Sequence, residues 1–333
     1  MANQKKIDEI DAKILKMLLK ESRTSFTEMA KSCKISVCAV RMRYNRLKKA
    51  GIINGEYMHV NPEFWGYEHT IDIRIKTSLS DEEEIIKMLN KKPRSASAFI
   101  LGVTTFGDAV MGLALLSKLE NLRSVIEEIG ANPKVKHVEA LIWAKSQDIF
   151  HPENLIIKPL TDLSEDKIET RTIPAETEEV CINETDKRII RILANSSRKP
   201  FSEVAKELGM STHNVINRYR RLREGNVITR SSISVDLNKL GYGTKSINFL
   251  KLGVKVKIPE IRQQLLQIPN VIYLIEHVGA YDLRIDIPLA DIEDIFLISK
   301  QIHAIEGIES VNSTIHRCPE LFPLPLYPKI LSD

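Results

Sequence analysis

The stretch that decides the fold reads ISVCAVRMRYNRLKKAGII at residues 35–53, and its counterpart reads MSTHNVINRYRRL at residues 210–222. In the first stretch Ser36 can cap a helix that buries Val40, Tyr44 and Leu47, and Gly51 ends that helix. Two amphipathic helices precede it, and a short strand follows at residues 52–60. Three short helices with a tight turn before the third predict a helix-turn-helix, and a trailing hairpin would make it winged.

This module occurs twice in the chain. When the sequence is shifted by 175 positions, residues 7–67 align with residues 182–242 without a gap, and 21 of these 61 positions are identical. Such a long ungapped match is a sequence duplication, and it predicts that both halves of the chain begin with the same winged helix-turn-helix module.

Positive charge is concentrated on the two modules. The 333-residue chain has 48 Lys+Arg against 44 Asp+Glu, a net charge of +4. Residues 8–60 alone carry +5 and residues 183–235 carry +6, which leaves −7 for the remainder. Basic charge concentrated on a module that could enter a DNA groove is the electrostatic pattern typical of a protein that binds double-stranded DNA. A small structural three-helix bundle is the alternative that the helical pattern alone allows.

The third helix of each module carries the candidate DNA contacts near its start. Arginine can bond guanine, asparagine can bond adenine, and apolar side chains can meet the thymine methyl group. The candidates are Ser36, Val37, Cys38, Arg41, Met42, Arg43, Asn45 and Arg46 in the first copy, and Ser211, Thr212, His213, Asn217, Arg218, Arg220 and Arg221 in the second.

The arginines at four of these positions are shared by the two copies, namely Arg43, Arg46, Arg218 and Arg221. Shared arginines suit contacts with phosphates, which carry no sequence information, or else structural ion pairs. Most of the other outward positions differ between the copies, which predicts two non-identical half-sites.

A different periodicity follows each module. Alternating strand patterns and helical patterns succeed one another in the order βαββαβ over residues 66–148 and again over residues 241–318. This order is that of a ferredoxin-like domain, and one face of its sheet needs a cover, for which a partner sheet is the natural choice. The predicted fold class is therefore α+β, with two winged helix-turn-helix domains alternating with two ferredoxin-like βαββαβ domains.

The residues that carry these patterns resemble the leucine-responsive regulatory protein/AsnC (Lrp/AsnC) family of transcription factors. The resemblance lies in residues 7–15 (IDEIDAKIL), 35–53, 185–193 (TDKRIIRIL) and 210–222, and in the turn VGAYDL at residues 278–283. It covers about nine tenths of the chain, which is similar to two such subunits fused head to tail. The resemblance implies RAM- or ACT-like domains that pair into a dimeric α/β barrel and bind an amino acid or a related small effector.

The family's effector turn maps onto Gly279, Tyr281 and Asp282 in the second half. The first half departs from the pattern and offers only Gly107 and Asp108, so the second half is the better candidate. Asp282 can alternatively cap its turn without binding a ligand.

The turn before the third helix differs between the copies. Lys34 stands where the family usually has glycine, whereas the second copy keeps Gly209. A lysine there carries strain if its φ is positive.

The predicted organisation has six segments. They are a winged helix-turn-helix domain at 1–62, a βαββαβ domain at 66–148, an acidic linker at 149–180, a second winged helix-turn-helix domain at 181–236, a second βαββαβ domain at 241–318 and a proline-rich tail at 319–333. The linker is expected to be extended and solvated because it is acidic and lacks apolar periodicity.

Composition restricts the class of protein. No apolar stretch approaches the length of a membrane span, the first residues do not read as a signal peptide, and the four cysteines form no zinc or disulfide pattern. We therefore expect a cytoplasmic protein without a membrane partner, a metal or a cofactor.

The function predicted from the sequence is that of a sequence-specific transcriptional regulator, not an enzyme, which acts as a fused pseudo-dimer and forms homo-oligomers through its βαββαβ domains. Two alternatives remain open. The two fused halves also resemble siroheme decarboxylases, which use this architecture for tetrapyrrole chemistry, and His137, His277, His303 and His316 lie in the sheet domains without forming a motif. The second alternative is an assembly scaffold that does not bind DNA.

Overall fold

The computed structural model describes residues 7–90, 98–106, 109–144, 149–160 and 180–323, with the backbone alone over residues 98–106. The chain divides into two compact units, and each unit combines equivalent parts of both halves. The first unit contains residues 7–61, 151–160, 180–243 and 318–323, and the second contains residues 62–90, 98–106, 109–144, 149–150 and 244–317. No helix within these ranges is long and apolar enough to cross a membrane.

The helices and strands follow the same order in both halves. The first half contains α1 (Glu9–Lys20), α2 (Phe26–Cys33), α3 (Val37–Lys49), β1 (Ile53–Val60), β2 (His69–Lys76), α4 (Glu82–Asn90), β3 (Ala98–Phe106), β4 (Ala109–Leu116), α5 (Asn121–Gly130) and β5 (His137–Trp143). The second half contains α6 (Glu184–Ala194), α7 (Phe201–Leu208), α8 (Thr212–Glu224), β6 (Ile228–Val235), β7 (Thr244–Leu252), α9 (Ile258–Leu266), β8 (Tyr273–Val278), β9 (Leu283–Leu289), α10 (Asp294–His303) and β10 (Ile308–Arg317). The predicted α+β fold class is confirmed.

The turn before each third helix has a left-handed residue. Lys34 ends α2 with φ +53°, and Gly209 ends α7 with φ +66°. The amide of each residue donates to the carbonyl of the residue three positions earlier, Lys31 and Lys206. Because only glycine adopts this region without steric cost, Lys34 carries the strain that the sequence predicted.

The strand after each helix-turn-helix differs from the expected hairpin. In the first unit β1 pairs antiparallel with β6, so the two strands join the two copies of the module. Tyr57 lies opposite Ser232, and these two residues occupy equivalent positions in the two copies of the duplicated sequence. The expectation of a hairpin within each module was wrong. The duplication supplies an equivalent strand with the same apolar pattern, and each of the two strands pairs with the other instead of with a strand of its own module.

The second unit is a sheet in which the strands are ordered β10-β7-β9-β8-β5-β2-β4-β3. The two βαββαβ domains meet where β5 pairs with β8, through Ile142 opposite Val278 and Trp143 opposite His277. The edge strands β3 and β10 also approach each other, so the sheet curls back on itself.

Helices cover one face of each half of this sheet. Ile71, Ile73 and Ile75 of β2 are fully buried against α4 and α5, and an equivalent core lies beneath α9 and α10. Burial of each such side chain contributes about 2 kcal/mol. The other face of the sheet is lined by the alternate residues of the same strands, because successive side chains of a strand point to opposite faces.

The segments predicted as linker and tail are partly packed. Phe150 pairs with Tyr273 in the second unit, and Leu155 and Ile157 are fully buried in the first. The prediction of a solvated linker from residue 149 is therefore wrong for these residues, because their apolar side chains gain free energy from burial, and the acidic run begins only later. Residues 161–179, which hold that run, lie outside the described residues. In the tail, Phe322 forms a bridge with Val235 of β6, and residues 324–333 lie outside the description.

Candidate nucleic-acid interface

The helices that carry the candidate DNA contacts, α3 and α8, begin in the same way. Ser36 and Ser211 have extended backbones, and their hydroxyl oxygens accept hydrogen bonds from the amides of Ala39 at 3.1 Å and Asn214 at 3.2 Å. Both serines therefore act as N-caps, which fix where the helix starts. The first turn of each helix also presents free amide groups and the positive end of the helix dipole, a favourable setting for a phosphate.

Each helix buries one face and exposes the other. Val40, Tyr44 and Leu47 of α3 are buried, as are Val215 and Leu222 of α8. The outward set predicted for base contacts is exposed in both copies: Val37, Cys38, Arg41, Met42 and Asn45 on α3, and Thr212, His213, Asn217 and Arg220 on α8. Met42 has 64% of its surface exposed, which is a high value for an apolar side chain. The predicted contact residues are thus brought together on one accessible face of each module.

Two of the outward side chains already have neighbours. The amide nitrogen of Asn217 lies 2.9 Å from Nε2 of His213, one turn earlier on α8. The guanidinium of Arg41 lies 5.6 Å from the ring centroid of Phe26, at the start of α2. Arg41, His213 and Asn217 are nevertheless all exposed.

The four shared arginines are all engaged in ion pairs with α1 or α6. Arg43 and Arg46 both bind the carboxylate of Asp11, and Arg218 and Arg221 both bind that of Asp186. Asp11 and Asp186 are fully buried, and each also belongs to the capping box at the start of its helix. The guanidinium groups themselves are partly exposed, with 25–47% of each side chain accessible. The structural ion pair is therefore present at all four positions, and their contact with phosphate stays a prediction.

Two equivalent arginines, one from each copy, hold the two modules against each other through equivalent contacts. Arg23 donates to the carbonyls of Ser197 and Lys199, and Arg198 donates to those of Ser22 and Thr24. Arg23 also stacks on Phe201 at 3.9 Å, and Arg198 stacks on Phe26 at 4.9 Å. Burial lowers the pKa of both arginines, but an arginine in a protein is not deprotonated, because its ordinary pKa lies above about 12.

The two copies differ in the hydrogen bonds of an equivalent pair of tyrosines, Tyr44, which is buried, and Tyr219, which is half-buried. Tyr44 donates to the carboxylate of Glu56, whereas Tyr219 meets Ser231 at 3.2 Å. Burial and the hydrogen bond to Glu56 raise the pKa of Tyr44. Burial alone would raise the pKa of Glu56, but Lys48 and Tyr44 outweigh it and the pKa is lowered. The first module thus buries a carboxylate that the second lacks.

The predicted effector turn lies in the second unit between β8 and β9. Gly279 has φ +144°, and Tyr281 packs on Phe249 with ring centroids 5.2 Å apart. The carboxylate of Asp282 accepts from the amide of Leu252 at 2.8 Å and from Nζ of Lys251 at 3.1 Å. Asp282 therefore ties its turn to the neighbouring strand β7. Gly107 and Asp108, the counterparts in the first half, lie outside the described residues.

The second unit contains a buried polar cluster that the sequence did not predict. Asp72 of the first half accepts from Nε2 of His277 at 2.9 Å and from Arg284 at 2.8 Å, and Asp286 binds Arg284 and Lys245. Burial alone would raise the pKa of Asp72, but Arg284 and His277 outweigh it and hold the pKa at about 2. On β2, Asp72 and Arg74 alternate with three buried isoleucines. This alternation could have predicted polar side chains on the face of the sheet opposite the helices.

The histidines considered for tetrapyrrole chemistry differ in exposure and in their hydrogen-bond partners. His137 and His303 are exposed, and His303 bonds the carbonyl of Ser299 on its own helix. His277 is buried against Asp72, and His316 is buried beside Thr314.

Comparison with known proteins gives matches to both modules. The profile of the AsnC-type helix-turn-helix domain matches residues 182–223, and a profile of winged helix-turn-helix DNA-binding domains matches residues 7–54.

Curated relatives match about two fifths of the chain. The chain is 31% identical to the HTH-type transcriptional regulator FL11 of Pyrococcus horikoshii over 137 residues, which cover 41% of this chain and 89% of that protein. It is 30% identical to the HTH-type transcriptional regulator LysM of Sulfurisphaera tokodaii over 134 residues, which cover 40% of this chain and 94% of that protein.

Among solved structures, the siroheme decarboxylase NirDL matches over the full length. The TM-score is 0.61 at 17% sequence identity, and the match covers 97% of this chain and 98% of that one. At this level of identity the match shows a shared fold.

Proposed function

We propose, on the ground that the chain belongs to the Lrp/AsnC family, that it is a transcriptional regulator which binds double-stranded DNA. The observation that best supports this proposal is the exposed face of α3 and α8, where outward Arg, Asn and His side chains follow a serine N-cap in both copies. Such side chains at the start of a recognition helix can reach base edges in the major groove.

In this proposal the chain acts as a covalent pseudo-dimer. The two modules pair through β1 and β6 and through the arginines Arg23 and Arg198, so their reading helices move as one body. Their outward residues differ, with Cys38, Arg41 and Met42 corresponding to His213, Ile216 and Asn217. The operator would therefore contain two different half-sites, about one helical turn apart or a multiple of it.

Two experiments test the proposal. In an anisotropy titration with a labelled duplex of mixed sequence, binding should weaken steeply as salt rises from about 50 to 200 mM, because cations released from the phosphates drive the association. Selection from a pool of randomised duplexes should then return a site with two unlike halves. Absence of salt-dependent duplex binding would refute the proposal that the chain is a DNA-binding regulator. Selection of a site with two identical halves would refute the proposal that the two modules contact different base sequences.

The same proposal includes a small effector of the amino-acid class at the turn of Gly279, Tyr281 and Asp282, and further assembly of copies through the βαββαβ domains. An effector can act by binding one assembly or conformation better than another. A thermal-shift screen of free amino acids, repeated with Tyr281→Ala, tests it: a shift that disappears in the variant supports the site. Light scattering with and without the amino acid that gives the shift measures how many copies of the chain assemble.

A second candidate function rests on the full-length fold match to siroheme decarboxylase NirDL. It would require basic and histidine side chains around a tetrapyrrole; of the four histidines of the sheet domains, His137 and His303 are exposed, whereas His277 and His316 are buried. We favour a regulator without enzymatic activity because curated relatives of the chain are named as transcriptional regulators. Incubation with siroheme separates the two: a shifted absorbance spectrum together with release of carbon dioxide would establish the enzyme.

A further inference from the structure

Arg43 and Arg218 occupy equivalent positions in the two copies. They differ in how far neighbouring carboxylates neutralise their positive charge. Each binds the buried aspartate of its capping box, at 2.9 Å from Asp11 and 2.8 Å from Asp186. The difference lies in the N-cap residue, which is Asp8 in the first module and Asn183 in the second.

Asp8 holds Arg43 with a second carboxylate. Nη1 of Arg43 lies 2.7 Å and 2.6 Å from the two carboxylate oxygens of Asp8. The pKa of Arg43 is raised, first by this hydrogen bond with Asp8, and the pKa of Asp8 is lowered because the bonds from Arg43 and from the Asp11 amide outweigh its partial burial. A hydrogen bond between two opposite charges is shorter and about twice as strong as one between neutral groups.

Asn183 makes a weaker contact with Arg218. Nη1 of Arg218 lies 3.3 Å from the neutral side-chain oxygen of Asn183. The four residues Asp8, Asp11, Arg43 and Arg46 therefore carry no net charge, whereas Asn183, Asp186, Arg218 and Arg221 carry +1.

The surplus charge lies at an open surface. Arg218 and Arg221 line a groove together with Asn183, Met210, Asn214 and Asn217. Asn217 is one of the residues predicted to contact bases, so a phosphate in this groove would lie beside the reading face.

We infer that Arg218 is available to a DNA phosphate, whereas Arg43 is withheld from it by Asp8, so that the N-cap residue sets how much each module contributes to electrostatic binding. This inference rests on the proposed function and specifies one residue pair within it. Asp and Asn are equally good N-caps, so exchange of one for the other changes the charge and keeps the helix start.

The experiment exchanges the two N-caps, in Asn183→Asp and Asp8→Asn, within the full-length chain. The probe is a labelled duplex of mixed sequence of about 30 base pairs, long enough for two half-sites about one turn apart. Asn183→Asp should weaken binding about three- to tenfold near 50 mM salt and lower the salt slope by up to about 0.9, the value for one phosphate contact. Asp8→Asn should change both in the opposite direction.

The controls separate the possible failures. Circular dichroism melts show whether each variant keeps the fold, and Arg218→Gln should reproduce the effect of Asn183→Asp while Asn183 remains the N-cap residue. Opposite changes in the two N-cap variants support the inference, and any other combination overturns it. If the unmodified chain does not bind duplex DNA at low salt, the proposed function itself fails, and this inference with it.

Discussion

The hydroxyl oxygens of Ser22 and Ser197 lie 2.6 Å apart in the buried centre of the paired modules, and the two residues occupy the same position in the duplicated sequence. A residue can contact its own equivalent only on a two-fold axis, as in an isologous dimer interface. The amide of Ser22 donates to the carbonyl of Ser231, and the amide of Ser197 donates to that of Glu56, which are also equivalent positions. The first unit is therefore built around an internal pseudo-two-fold axis.

Loss of the arginine that crosses this axis should weaken the pairing of the two modules. Arg23→Ala removes hydrogen bonds to two carbonyls and the stacking on Phe201, and we expect it to lower the free energy of unfolding by about 2 kcal/mol. Arg198→Ala should cost about as much because its contacts are equivalent. Urea denaturation followed by circular dichroism measures both.

The matched control for this pair is Arg23→Lys, which keeps the charge but loses the planar fork that bonds and stacks. It should recover only part of the loss. A large effect of one arginine and none of the other would contradict the internal symmetry.

Removal of a buried aspartate should destabilise the first unit more than removal of an exposed one. Asp11→Asn leaves Arg43 and Arg46 without their shared carboxylate, and the partial exposure of both arginines limits the expected loss to about 2 kcal/mol. Asp8→Asn, at a side chain that is 48% exposed, should cost less than about 0.5 kcal/mol. Equal losses in the two variants, measured by urea denaturation, would show that burial does not decide the effect.

Substitution of the left-handed lysine by glycine should stabilise the protein. Lys34→Gly removes the steric cost at φ +53° and should raise the free energy of unfolding by about 1 kcal/mol. The reverse change in the second module, Gly209→Ala, should lower it by a similar amount, although a Cβ there would meet no atom within 4 Å. Opposite shifts of the thermal midpoint are the expected result, and a stabilising Gly209→Ala would exclude backbone strain as the cause.

Stability should fall on mild acidification because of His59. Burial, with a smaller effect from Arg230, lowers the pKa of His59 to about 3, whereas an unfolded histidine titrates near 6.5. Between these values the unfolded chain binds a proton that the folded chain does not, so this stability is complete above about pH 6.5 and is lost as pH falls toward 3. From pH 7 to pH 5 the loss from this residue should be about 2 kcal/mol.

The comparison variant is His59→Gln, which cannot titrate. Its free energy of unfolding should change less between pH 7 and pH 5 than that of the unmodified chain, by about the same 2 kcal/mol. Parallel pH profiles would assign the acid sensitivity to other groups.

Base preference should depend on different residues in the two half-sites. Asn217→Ala should relax the preference in the half-site of the second module, and Arg41→Ala should relax it in that of the first, each by about 1–3 kcal/mol of discrimination at one position. Selection from randomised duplexes with each variant measures the change. Relaxation of the same position by both variants would contradict the assignment of one half-site to each module.

Much of the fold followed from local patterns. Helical spacing around Val40, Tyr44 and Leu47 placed a recognition helix, and the alternation of isoleucines on β2 placed a strand with one face in a core. These patterns are informative because the side chains of one element share its periodicity, whatever the rest of the chain does. The outward residues of α3 and α8 could be predicted for the same reason.

The roles of the arginines could not be predicted in the same way. Arg43 and Arg46 lie 32 and 35 positions from Asp11, and the sequence leaves open whether they meet it or a phosphate. The cluster of Asp72, His277 and Arg284 joins residues more than 200 positions apart. Contacts over such separations depend on how whole elements pack, which no local periodicity encodes.

The sequence by itself determined that this chain is a duplication, that each copy is a helix-turn-helix followed by a βαββαβ domain, and that basic charge is concentrated on the two modules. Only the tertiary structure decided that β1 pairs with β6 around Ser22 and Ser197, and that equivalent modules share one compact unit. The physical reason is that an edge strand can pair with any complementary strand within reach, and the duplication placed an equivalent strand in the same chain.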